Sequence, residues 1–442
     1  MKRTLASIIR GIPVFDVHEH HMPDTLLAKD VGLLQLLQES YAGWTQERPY
    51  PLPGEPPVTL GAAAGGPAQW RDIAGYVEGG GTNSTVRNML GSIAELHGLG
   101  SAPITEKNWA DLDARIRRNR SDPGWPAAVL DRAGIATAIS DPYKDPLMDV
   151  RAALGARYYS VLRINAFAVG WNGESRDHNG NNAWELLARI GAQPRSFDEY
   201  LAALSLLVDG LPGLHKVGLK NALAYDRSVN FDDVDVELAR SAWGRPDPAP
   251  AERKAFGDVV VDRLCRLAGE RDIPFQMHLG SGLIRGSRPI EAAGLIERNP
   301  RTRFLLMHLA YPWSDELLGM AFVYRNIWID LTWSWLLSPS RFRVAFRQAV
   351  DSLPGESRMM LGGDTWHAEE AYGAIGMARR LIGETLDSCV RDRDFRPSDA
   401  ERLGRKILHD NAAAFFRIGW GAGRSGSSHG CPGAHDRSIT GV

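Results

Sequence analysis

From Trp125 onward the chain alternates short β-branched runs with helical stretches, and this alternation limits the possible fold more than any other feature. The runs are 135–140, 158–167, 216–222, 274–279, 303–309, 326–332 and 358–363. Helix candidates lie between them at 197–207, 250–271, 289–298, 313–323, 340–352 and 368–382, and a last one spans 397–416. Strand followed by helix, repeated, describes parallel βα units. An eighth run, 14–20, stands near the N-terminus. Eight parallel strands with alternating helices predict the α/β class, as a closed (β/α)8 TIM-type barrel. An open doubly wound sheet is the runner-up, but no Gly-rich phosphate fingerprint follows the first strand.

Between strands one and two lies a long insertion, residues 22–122, that lacks this alternation. The stretch 49–66 is rich in Pro, Gly and Ala and reads as an extended loop, whereas 109–118 reads as a helix with Leu112 and Ile116 at i and i+4. So long a segment after a strand predicts a lid or a partner surface within one barrel domain, 1–418. Residues 419–442 are Gly/Ser-rich and read as a disordered tail, with His429, Cys431 and His435 solvated in it.

Composition excludes several classes. Hydrophobic residues make up 44% and charged residues 24%, and the formal net charge is −2, which argues against nucleic acid or an anionic membrane as the partner. The three cysteines, Cys265, Cys389 and Cys431, have neither disulfide-framework nor zinc-thiolate spacing. No apolar run approaches the ~18 residues of a membrane span, and no signal-type segment opens the chain, so a cytoplasmic protein is expected.

The chemistry is written at the strand ends. Successive strand side chains point to opposite faces, so His18 and His20 share one face and can grip one ion. Further apolar runs end at Lys220, His278, His308 and Asp364. Active sites of such barrels lie at the C-terminal strand ends, and one ionisable residue at each of four ends, beside the His pair, points to metal chemistry. Lys220 and Asp364 could instead form a buried ion pair, which coordination of a cation makes unnecessary. Around these ends, Tyr311, Trp333 and Trp366 suggest a bulky apolar pocket, with Tyr225 and His367 as further candidate substrate contacts and Arg163 as a bidentate carboxylate clamp. Glu19 and His21 leave the His18–His20 face and are not assigned to metal.

The stretch Asp16-Val17-His18-Glu19-His20, followed in strand order by Lys220, His278, His308 and Asp364, resembles the amidohydrolase superfamily. Within it the chain is similar to the amidohydrolase-2 branch, including domains fused to glutamine synthetases. Gly218-Leu219-Lys220 with Ala224-Tyr225, His308-Leu309-Ala310-Tyr311-Pro312 and Leu408-His409-Asp410-Asn411-Ala412-Ala413 carry that likeness. The resemblance implies a metal-dependent hydrolase of a C–N (amide-type) or related bond in a small molecule. By the same resemblance, His18 and His20 would hold one divalent ion and His278 and His308 a second, with zinc first and iron or manganese as alternatives. Lys220 would bridge them as an N-carboxylated lysine or act as a substrate-binding cation. Asp364 would bind the first ion and move the proton. A non-haem di-iron oxygenase acting on a hydrophobic molecule, an isomerase or a decarboxylase are the competing readings, and a homo-oligomer is compatible with all of them.

Overall fold

The computed structural model describes residues 4–46 and 68–418. The expected loop at 49–66 and the expected tail at 419–442 lie outside the described residues.

Eight strands form one sheet: β1 (Val14–Glu19), β2 (Ile135–Ser140), β3 (Tyr158–Arg163), β4 (Lys216–Asn221), β5 (Pro274–Met277), β6 (Arg303–Leu306), β7 (Ile327–Asp330) and β8 (Met359–Met360). Each pairs in parallel with the next in chain order. Helices connect them, so the crossovers bury both faces, and the strands read as near-continuous apolar runs. β8 meets β1 again through backbone hydrogen bonds: Val17 N–H to Leu361 O (3.1 Å), Asp364 N–H to His18 O (2.8 Å) and His20 N–H to Thr365 O (2.8 Å). The result is a nearly closed (β/α)8 barrel.

Except for β2, the ladder strands are shorter than the runs that predict them, and the smallest share is kept at 358–363, where only Met359–Met360 pair. A close approach is the reason. At Gly362 a Cβ would lie 2.5 Å from Asp16 Oδ1 and His18 N, and Gly363 N–H donates to both Asp16 carboxylate oxygens at 3.0 and 3.1 Å. Side-chain carboxylate replaces ladder carbonyl there, and the chain leaves the sheet just before Asp364. His278 and His308 likewise fall just past the ends of β5 and β6.

The insertion is more ordered than its sequence suggested. Helices Leu33–Gln38, Tyr41–Gln46, Ser84–Leu96 and Trp109–Arg120 surround an apolar cluster of their own, with Leu33, Leu36, Leu37, Ile73, Val86, Met89, Ile93, Leu112 and Ile116 inside it. Leu33, Leu36 and Leu37 recur at i, i+3 and i+4, a one-sided helical stripe. Its seam with the barrel is polar and buried. Arg120 pairs with Glu369 at 3.0 Å, Trp125 Nε1 donates to Glu369 at 2.9 Å, and Arg120 Nη2 reaches Thr25 O at 3.2 Å.

The last helix runs Pro397–Arg405, widens to a π-turn at Lys406–Asp410 and ends at Asn411–Phe416. Phe415 and Phe416 close one side of the barrel against Phe15, Val17, Ile139, Val161, Leu305 and Met360. Among the described residues no helix is long and apolar enough to cross a membrane.

Candidate metal centre

The sequence places His18, His20, Lys220, His278, His308 and Asp364 at strand ends, and the structure brings all six together. His18, Lys220, His278, His308 and Asp364 are buried. The backbone that presents them is unusual. His308, Leu309, Ala310, Trp333 and Asp364 all have positive φ, between 45° and 65°. Non-glycine residues pay about 1–3 kcal/mol each for such conformations, which persist where the surroundings over-determine them and which cluster at functional sites.

Two groups of donors converge. In the first, Asp364 Oδ1 lies 3.4 Å from His18 Nε2 and 3.3 Å from His20 Nε2, yet it accepts no hydrogen bond. In the second, His308 Nε2 faces His278 Nδ1 at 2.9 Å. Lys220 Nζ sits between the groups, 3.4 Å from His18 Nε2 and 2.7 Å from Met307 Sδ. Among the described residues no carboxylate lies within ion-pair distance of that Nζ.

The hydrogen bonds on the far side of each ring fix where the protons are. A carbonyl only accepts, so the nitrogen facing one carries the hydrogen. His278 Nε2 faces Ser281 O at 2.7 Å, His308 Nδ1 faces Thr332 O at 3.4 Å, and His20 Nδ1 faces Asp141 O at 3.4 Å. In the neutral rings His278 Nδ1, His308 Nε2 and His20 Nε2 are therefore lone pairs, turned towards another lone pair or a carboxylate oxygen. Such an arrangement repels unless a cation lies among the donors. Backbone carbonyls that orient imidazoles from behind are the usual support of metal ligands.

Electrostatics agree. Burial, then the charge of Lys220, hold His18 well below the usual imidazole range. Burial, then His308, do the same to His278, and burial lowers His308 to about 4. Burial alone would raise Asp364, but the surrounding imidazoles, His18 first, hold its carboxyl well below the usual carboxylate range. Burial lowers Lys220 to about 8, against the opposing pull of Asp141. Neutral imidazoles and a carboxylate are the ligand states a divalent cation requires. The residues present fit such an ion.

A cavity of about 470 Å³ adjoins His20. Tyr41, Trp44, Tyr143, Tyr225 and Trp366 supply an aromatic wall, while Arg163, Lys144 and His178 supply polar groups. Arg163 is clamped by Asp141, with Nε at 3.1 Å from both carboxylate oxygens and Nη2 at 2.5 Å from Oδ2. Of the expected substrate contacts, Arg163, Tyr225 and Trp366 line this cavity. Trp333 lies behind it, its ring 4.7 Å from Tyr41 and 5.5 Å from His308. Tyr311 and His367 are not in its lining. Both ring nitrogens of His367 are engaged elsewhere, Nε2 with Leu36 O at 3.1 Å and Nδ1 with Glu369 Oε2 at 3.2 Å and Glu370 N at 3.3 Å, so it sits at a helix start and docks the insertion. The sequence rule failed there because a loop histidine after a strand can turn either way.

Several residues of the site were missed. Asp141, just past β2, obeys the strand-end rule used for the others, and one carboxylate oxygen of it lies within 4.8 Å of donor nitrogens of His18 and His20. Tyr41 and Trp44 come from the insertion, where no strand-end rule applies. Tyr41 packs between Trp333 and Trp366, at 4.7 and 4.6 Å. Its backbone N–H and that of Trp366 both donate to Glu370, at 2.7 and 3.1 Å, so one buried carboxylate ties two pieces of the cavity wall together.

A family model described as amidohydrolase matches residues 194–418. Protein fluG of Emericella nidulans is 23% identical over 234 residues, which is 48% of this chain and only 27% of that relative's length. Among solved structures, a uronate isomerase from Thermotoga maritima aligns with a TM-score of 0.72 at 13% identity, over 93% of this chain and 96% of its own. A glucuronate isomerase from Caulobacter crescentus gives 0.70 at 18% identity, over 94% and 93%. A proposed metal-dependent hydrolase from Lactobacillus casei gives 0.65 at 15% identity, over 94% and 98%. At these identities the structural likeness is one of fold.

Proposed function

Because this chain belongs to the amidohydrolase family, we propose that it is a metal-dependent hydrolase acting on a C–N (amide-type) or related bond of a small organic molecule. The observation that carries this reading is the proton count of the site: three ring nitrogens present lone pairs to other acceptors, and Asp364 Oδ1 is buried without a hydrogen bond. His18, His20 and Asp364 would hold one divalent ion, and His278 and His308 a second. Lys220 would bridge them as a carbamate, which would replace an ammonium that has only a thioether and an imidazole for partners. When bound, such ions supply hydroxide at neutral pH and polarise the scissile carbonyl.

The chain's own residues do the rest. Asp364 accepts the proton of the attacking water at its unpaired Oδ1. Arg163, its Nε and Nη2 fixed by Asp141, turns its remaining edge to an anionic or carbonyl oxygen of the substrate. Tyr41, Trp366 and Tyr225 exclude water from an aromatic or apolar body. A second reading, a di-iron oxygenase acting on a hydrophobic molecule, draws on that aromatic wall. Isomerase or decarboxylase chemistry would need one ion and would leave Lys220 as a cation.

Elemental analysis of protein purified without added metal or chelator, combined with assay of His278→Ala, tests the proposal. Two zinc ions per chain and loss of hydrolysis in the variant are expected. Two irons with substrate-coupled oxygen uptake would transfer the case to the oxygenase, and full hydrolysis by His278→Ala would end the two-ion reading.

A further inference from the structure

One imidazole on the cavity wall belongs to none of the groups above. His178 lies in the loop after β3 and lines the same cavity as His20, Arg163 and Trp366. Its Nδ1 is 2.8 Å from Asp226 Oδ2, and its backbone N–H donates to Asp226 Oδ1 at 2.8 Å. Asp226, just after β4, is held in turn by Asn165 Nδ2 at 2.6 Å. Two hydrogen bonds besides the ring's own, from the His178 backbone and Asn165, therefore fix the carboxylate, and the carboxylate fixes the ring. A carboxylate can only accept from Nδ1, so in the neutral ring Nε2 is the acceptor, 3.0 Å from the Asn179 amide nitrogen, and only the imidazolium carries a proton there. His178 is exposed and Asp226 half-buried, and an imidazole oriented through Nδ1 by a carboxylate on a cavity wall is an arrangement suited to acid–base chemistry.

Its place relative to the proposed metal ligands is defined by one ring. Tyr225 packs against both histidines, its centroid 5.3 Å from His178 and 4.5 Å from His278. His178 and His20 both line the cavity, so a molecule filling it would lie against both. The Asn179 amide can serve the ring in either protonation state, since turning it through 180° exchanges a donor for an acceptor.

We propose that His178, oriented by Asp226, is the general acid that protonates the leaving group from the cavity wall. This rests on the hydrolase reading. As the C–N bond breaks, its electron pair goes to nitrogen, which takes the Nε2 proton of the His178 imidazolium and leaves the ring neutral, with Nδ1 still hydrogen-bonded to Asp226. The proton lost by the attacking water goes to Asp364 and returns to His178 through solvent in the open cavity, which closes the balance. Division of labour between two groups suits a site in which Asp364 is buried among imidazoles and absent from the cavity lining.

The test uses the metal-replete enzyme and two acyl series, N-acyl alkylamines and p-nitrophenyl esters of the same carboxylate-bearing aryl acids. A nitrophenolate leaves without a proton, so only the amides need the acid. In His178→Gln, kcat for the amides should fall about 10²–10³-fold and kcat for the esters less than 3-fold, with KM and metal content unchanged. Asp226→Asn should shift the same ratio in the same direction, and added imidazole should restore part of the amide activity to His178→Gly. Equal losses on both series, or loss of metal, would make His178 a structural residue and overturn the proposal while leaving the hydrolase standing. No hydrolysis of either series by the wild-type enzyme would overturn the hydrolase reading, and this role with it.

Discussion

The two sides of one barrel are built on opposite rules. On the side closed by the last helix, Phe416 stacks on Phe15 at 6.0 Å, and the residues around them are apolar and buried. At the mouth, His18 Nδ1, Glu19 Oε1, Asn221 Nδ2, Trp333 Nε1 and Asp364 Oδ1 are buried without hydrogen bonds. The same strands serve both. A closed side filled by dispersion contacts supplies stability, and a mouth with unmet polar groups and left-handed backbone consumes it in exchange for chemistry. The contrast also explains why each kind of end residue matters differently: strength of packing on one side, availability of lone pairs on the other.

Three substitutions would break or sharpen that contrast. The largest effect is expected at the mouth. Asp364→Ala should cut activity by roughly 10³-fold or more and lower metal content. Full metal content with full activity in the variant, read by elemental analysis and assay, would contradict it. Next comes the closed side. Phe15→Ala should destabilise the fold by about 3–5 kcal/mol in urea unfolding while metal content per folded molecule stays constant. A fall in metal content without a fall in stability would show that the two sides are not separable.

The smallest effect belongs to the seam with the insertion. Burial alone would raise Glu369, but its hydrogen bond with His367 and the charge of Arg120 outweigh that and hold it well below the usual 4.5. A depressed carboxylate contributes stability above its unfolded value and loses it as pH falls through the folded one. Below pH about 4.5 the wild type should therefore lose up to roughly 1.4 kcal/mol per pH unit more than Glu369→Gln does. Parallel acid limbs for the two proteins would show that Glu369 is not a charged partner of Arg120 in the folded state.

The barrel and its donor set were legible for a simple reason. Strand period and strand order are local, and a His or Asp that ends an apolar run has few alternatives to the mouth. His278, His308 and Asp364 were found in this way, and Asp141 could have been. What was not legible depends on contacts far apart in sequence. The insertion's Tyr41 enters the cavity wall because Glu370, more than three hundred residues later, accepts its backbone N–H. His367 looked like a substrate contact, but Leu36 O, supplied by the insertion, turns it away. His178 carried no signal, since its meaning comes from Asp226 on another strand's loop. The early end of β8 followed from the crowding of Gly362 against Asp16 and His18, which no propensity encodes.

The join between β8 and β1 has a further consequence. There Asp364 N–H is bonded to His18 O, so two proposed ligands of one ion are also the two lips of the barrel's last seam. An ion that binds the native arrangement and not the open one deepens the native well by an amount that grows with the logarithm of its concentration. Local unzipping of the barrel and release of the ion are then a single event. Metal supply would set how long the cylinder stays shut, and the cofactor would act as a clasp as well as a reagent.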